Sequence, residues 1–127
     1  MDKLIVRETP RTPSINFDPD NGNFDISGKS TPENSNGFYA PVLDYIDRYT
    51  TCPADKTVVN VRFEFFNTSS SNSIHSIFKK FEKVYRENRD VVIRWYYESN
   101  DENMLDAGED FRAIFHLPFE IIKVDES

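Results

Sequence analysis

Cysteine is almost missing from this chain: Cys52 stands alone, so no internal disulfide can form and a reducing compartment is expected. With no His or second Cys beside it, Cys52 reads as an inert thiol. Glycine is scarce as well, four residues in all, which leaves little material for the Gly-rich loops that cradle nucleotide phosphates. Basic charge is in deficit. Fifteen Lys and Arg against 22 Asp and Glu give a net charge of -7, which argues against a sequence-independent grip on nucleic acid or on an anionic membrane. No apolar run approaches the roughly 20 residues of a membrane span. Near the start, Leu4-Ile5-Val6 meets Arg7 and Glu8 at once, so no secretory leader is expected. Histidine occurs twice, as His75 and His116, far apart and in no metal-ligand spacing. The expectation is a cytoplasmic protein without metal, cofactor, nucleic-acid partner or membrane partner.

Aromatic residues, in contrast, are abundant at 14%. A chain of 127 residues fits one domain, 1–127, and buries roughly two-thirds of its unfolded surface on folding. Leu4-Ile5-Val6 reads as a short first strand. Residues 14–28 alternate on both sides of Pro19-Asp20-Asn21-Gly22, a turn in which proline presets φ and Asn-Gly tolerates positive φ. A β-hairpin follows, with Phe24 and Ile26 on its buried side. Ser30-Thr31-Pro32-Glu33 matches a capping box. Helical spacing appears at Phe38, Val42, Tyr45, Ile46 and Tyr49, with a loose turn near Asn36 and a regular helix from about Ala40, because Pro41 is awkward inside a helix.

Residues 57–66 alternate with period two: Val59, Val61, Phe63 and Phe65 on one side, Asn60, Arg62 and Glu64 on the other. Phe66 is assigned with Val92, Tyr96 and Ile122 to this second, more polar side. Ile74, Ile77, Phe78, Phe81, Val84 and Tyr85 then form one apolar stripe of a helix over 74–88. A strand over 91–97, an acidic helix over 102–111 and a last strand over 118–124 complete the order, and the tail is expected to fray. The acidic run lacks the ligand alternation and central Gly of an EF-hand loop, so it reads as a solvated helix or as a surface offered to a basic partner. Strands buried on both faces would be nearly continuously apolar. These alternate, which predicts α/β layering in two layers, a mixed sheet with helices mainly on one face.

Between the strand 57–66 and the helix 74–88 lies Asn67-Thr68-Ser69-Ser70-Ser71-Asn72-Ser73. Its small polar residues suit a helix N-terminus, whose orphan N–H groups and dipole favour acceptor oxygens and negative charge. Ser70 or Ser71 is the expected N-cap, because the apolar stripe begins at Ile74; that leaves the Thr68 hydroxyl free. On spacing alone these residues can be no more than turn and capping residues. A phosphorylation switch at Thr68 is the sharper reading, with partner contacts from Asn67, Ser69, Ser70, Ser71 and His75, although His75 lies off the apolar stripe and can equally be a solvated helix residue.

Several separated motifs carry a resemblance. They are Ile26-Ser27-Gly28 with Ser30 and Pro32-Glu33-Asn34-Ser35; Phe65-Phe66-Asn67-Thr68-Ser69-Ser70-Ser71; Trp95-Tyr96-Tyr97-Glu98; and Met104-Leu105-Asp106-Ala107-Gly108-Glu109-Asp110. Together they resemble the SiaC family of small bacterial regulatory phosphoproteins, over roughly 4–124. The resemblance implies a STAS-like sandwich without a catalytic site. It also implies partner switching: a Ser/Thr protein kinase phosphorylates Thr68, a metal-dependent phosphatase reverses this, and the unphosphorylated form binds and activates a diguanylate cyclase, with consequences for cyclic di-GMP and biofilm formation. Two other readings stand beside it. One is a module that holds a small phosphate-bearing ligand in the 67–73 turn; the other is a hydrolase using Asp or His at the strand ends.

Overall fold

A computed structural model describes residues 1–125; the expectation of a fraying tail falls largely outside them. Strands β1 (Leu4–Val6), β2 (Ser14–Asp18) and β3 (Asn23–Ser30) are followed by α1 (Ser35–Tyr49), β4 (Lys56–Phe66), α2 (Thr68–Arg86), β5 (Asp90–Glu98), α3 (Glu102–Ile114) and β6 (Phe119–Val124). The six strands lie in one sheet in chain order. β1, β2 and β3 pair antiparallel, and β3 through β6 run parallel. Each helix is a crossover between neighbouring parallel strands. Such crossovers are right-handed, and all three step the same way across the sheet, so all three helices fall on one face. The predicted two-layer arrangement is the one observed.

Register makes the two faces explicit. Phe17, Phe24, Val59, Ile93 and Phe119 are successive cross-strand partners, all buried under the helices. One residue further along, Asn16, Asp25, Asn60, Arg94 and Glu120 form the matching row on the bare face. There Asn60 Nδ2 donates to Asp25 Oδ1 at 2.9 Å, Tyr96 OH donates to Asn60 Oδ1 at 3.2 Å, and Arg94 Nε donates to Glu120 Oε1 at 3.3 Å. The core centres on Trp95, with Phe63, Phe66, Phe78 and Phe111 around it at ring distances of 5.5–6.2 Å. Gly108 lets α3 approach that indole: a Cβ there would stand 2.5 Å from Trp95 Cδ1, while Trp95 Nε1 donates to Met104 O at 2.9 Å.

Three expectations about the elements need correction. α1 is regular from Ser35 and is capped by Asn34, whose side chain accepts from Gly37 N at 3.0 Å; Ser30 instead ends β3. Pro41 is tolerated inside α1 because it and Gly37, whose carbonyl it leaves without a helical donor, are both exposed to water. The second correction concerns β4. Its alternation holds up to Phe63 and then reverses, because the register slips: Gly28 pairs with Phe63 but Lys29 pairs with Phe65, leaving Glu64 as an extra residue. Gly28 supports this bulge with φ of +112°, a conformation that favours glycine. As a result Phe66 turns inward onto Phe63 and Trp95, and Phe65 is 56% exposed. The third is the start of α2, six residues earlier than the apolar stripe.

Candidate functional site

α2 begins at Thr68, and its N-cap is Asn67, whose Oδ1 accepts from Ser70 N at 2.9 Å. Neither Ser70 nor Ser71 is the cap. The expected turn is in truth the first turn and a half of the helix, docked by hydroxyls rather than by hydrocarbon. Asn67 N donates to Ser30 O at 3.0 Å, at the end of β3. Ser70 Oγ donates to the same carbonyl at 3.0 Å, and Ser30 Oγ donates to Ser70 Oγ at 2.8 Å. A hydroxyl has one proton to give, so Tyr39 OH is left as the donor to Ser30 Oγ, 2.6 Å away. Ser35 joins from the first residue of α1, 2.8 Å from Ser69 Oγ and 3.3 Å from Ser70 Oγ. Burial of Tyr39 pushes its phenol up from 10.0 to about 12.

This network sorts the candidate residues. Ser70 is 0% exposed and holds β3, α1 and α2 together, so it is a seat for the helix and offers no surface to a partner: a correction to its expected contact role. Asn67 is half-buried and engaged as the cap, and Ser71 is half-buried. Ser69 is exposed, yet its hydroxyl is tied to Ser35 and donates to Asn67 Oδ1 at 3.2 Å. Thr68 is exposed and carries none of these contacts. It is the first residue of α2, at the positive end of the helix dipole, and the first turn holds no acidic residue. His75, two turns on, is half-buried with its ring 4.9 Å from that of Phe115. It is neither freely solvated nor part of the turn.

Sequence reasoning missed Phe65. Three residues before Thr68, it lines a groove of about 420 Å³ with Glu64, Phe66, Asp101, Met104 and Ala107, between the end of β4 and the start of α3. A glycine at position 28, opposite the run of aromatics, was the available sign of a bulge. Among the described residues no cluster of three or more His, Cys, Asp and Glu could hold a metal ion, and no helix is long and apolar enough to cross a membrane.

Comparison with known proteins fits this geometry. A relative from Pseudomonas aeruginosa (strain UCBPP-PA14), itself described as uncharacterized, is 30% identical over 126 residues, which is 99% of this chain and 100% of the relative. The solved structure of apo-SiaC from Pseudomonas aeruginosa superposes with a TM-score of 0.88 at 30% identity, covering 96% of this chain and 99% of that one. A second match is the crystal structure of the diguanylate cyclase SiaD in complex with its activator SiaC from the same organism. It has a TM-score of 0.90 at 29% identity and covers 95% of this chain and 99% of the matched one. The model of the SiaC family regulatory phosphoproteins matches residues 6–124, and with that span this chain belongs to the SiaC family.

Proposed function

We propose that this protein is a non-enzymatic switch: its unphosphorylated form binds and activates a diguanylate cyclase, and phosphorylation of Thr68 blocks that association. A Ser/Thr kinase adds the phosphate and a metal-dependent phosphatase removes it. The observation that carries this reading is the contrast within one turn, where Ser69 and Ser70 are held by the hydroxyl network and Thr68 is exposed and takes no part in it. A related SiaC is the activator of a diguanylate cyclase with which it forms a complex, which supports the choice of partner.

The chemistry follows from position. A phosphate adds about -1.5 to -2 charge at pH 7. At the first residue of a helix that charge meets free N–H groups and the positive end of the dipole, so the fold tolerates it. Its effect is therefore on docking: a dianion at the centre of a contact surface must be desolvated or repelled. Phe65 supplies the apolar anchor beside it, an exposed aromatic of the kind that dominates interface energetics.

The test is peptide mapping of the protein from its native cells, together with cyclase binding by calorimetry. Phosphate is expected on Thr68, none on the Thr68→Ala protein, and cyclase binding by Thr68→Ala but not by the phosphorylated form. Phe65→Ala is expected to weaken binding by about 2 kcal/mol, or roughly thirtyfold, with the fold unchanged. Phosphate found on Ser69 or Ser71 of the Thr68→Ala protein would remove Thr68 from its role.

A further inference from the structure

The outer face of α2 is continuous from the switch residue to the far end of the helix. At 3.6 residues per turn, Thr68, Asn72, His75, Lys79, Lys83 and Arg86 fall on one stripe, and all but the half-buried His75 are exposed. Charge is distributed along it unevenly. The first half is neutral, and the second half is basic in a chain of net charge -7. Beside this basic half a groove of about 460 Å³ runs toward α1, lined by Asp47, Ser76, Lys79, Lys80, Glu82, Lys83 and Arg86.

Four cations against two carboxylates leave this groove positive, and both carboxylates are already engaged. Lys80 Nζ lies 2.6 Å from Asp47 Oδ1. Glu82 accepts from His116 N at 2.7 Å and pairs with Arg86 at 3.3 Å. Lys79 and Lys83, exposed and one turn apart, have no ion-pair partner among the described residues.

We infer that this stripe is the docking surface for an acidic segment of a protein partner, whose carboxylates meet Lys79 and Lys83 while its continuation covers Thr68. The inference deepens the proposed function and rests on it for the role of Thr68. Distance decides how the two ends communicate. Thr68 and Lys79 are 11 residues apart, about 16 Å along the helix, or roughly two Debye lengths at physiological salt. A phosphate on Thr68 therefore does not neutralise the lysines through solvent. It acts on the partner directly, by placing negative charge against negative charge at the neutral end of the stripe. The basic half attracts the segment and the switch end admits or rejects it.

The test uses the full chain and two synthetic glutamate-rich helical peptides, a short one matching the basic half and a longer one matching the whole of α2, with lysine-rich peptides as controls. Amide shifts in NMR titrations are expected over 72–86 with the glutamate peptides only. Lys79→Glu/Lys83→Glu is expected to weaken both by tenfold or more, with Lys79→Gln/Lys83→Gln intermediate, and Thr68→Asp is expected to weaken the longer peptide alone. Absent shifts, shifts elsewhere, or equal affinity in the charge-reversed protein would overturn the inference. Cyclase binding separates it from the proposed function. If Lys79→Glu/Lys83→Glu binds the cyclase as tightly as the parent, the stripe is wrong and the switch stands. If the parent binds the acidic peptides but no cyclase, the choice of cyclase fails and the stripe stands.

Discussion

The starts of α2 and α3 solve the same problem, one without charge and one with it. Both helices leave the end of a parallel strand, and both are capped by an Asx side chain that accepts from the third helical N–H: Asn67 from Ser70 N at 2.9 Å, Asp101 from Met104 N at 3.1 Å. α3 adds Glu102 in its first turn, whereas α2 has a neutral cap and no acid there. The positive end of the α3 dipole is thus answered by two carboxylates within the chain. That of α2 is left unanswered beneath an exposed threonine. The difference shows where this fold has room for one more anion.

The largest expected effect tests what lies under α2 and has no counterpart under α3. Tyr39 anchors the hydroxyl network, and its phenol titrates at about 12 instead of 10.0 because it is buried. A raised phenol means that the unfolded chain loses its proton first. The stability is complete below pH 10 and is lost as pH climbs through 12, by an amount of order 2–3 kcal/mol. In alkaline denaturant titrations Tyr39→Phe should lose less stability over this window than the parent protein. Next come the caps. Asn67→Ala and Asp101→Ala should each cost about 1 kcal/mol in urea unfolding, and the Asp101 loss alone should shrink with added salt, because only that cap is charged. A matching salt response in both would erase the contrast. Smallest is the effect of the anion itself. Phosphorylating Thr68 should stabilise the fold by about 0.3–1 kcal/mol and Glu102→Gln should destabilise it by a similar amount, read as opposite shifts in Tm. A large fall in Tm on phosphorylation would mean that the switch works by unfolding the turn.

Most of the architecture was legible because periodicity reports burial directly. The hairpin around Asn21-Gly22, the alternation of β4 up to Phe63 and the stripe from Ile74 to Val84 all reappear in the structure. The start of α2 was not legible. Its inner side is made of Ser70 and Ser73, both buried, with Ser70 held by Ser30, and a search for apolar residues passes over a helix start of this kind. Phe65 and Phe66 were exchanged for a different reason. Their facing depends on a register slip opposite Gly28, some 35 residues away in sequence, and no window on β4 alone contains that information. Thr68 was singled out from the hydroxyl-rich turn, with a cap expected at Ser70 or Ser71, and again by resemblance; its exposure, the true cap at Asn67 and the engagement of its neighbours needed coordinates.

Glu64 is supernumerary, and that makes the facing of two rings a matter of counting. Giving it a partner, by one residue inserted between Gly28 and Lys29, would restore unbroken pleating along β4, return Phe65 to the interior and expel Phe66. No ring would be lost in the process, yet the aromatic offered to water would become the other one, displaced along the ribbon toward Thr68. One residue added beside Gly28 is thus a shorter route to a different recognition surface than any exchange of side chains.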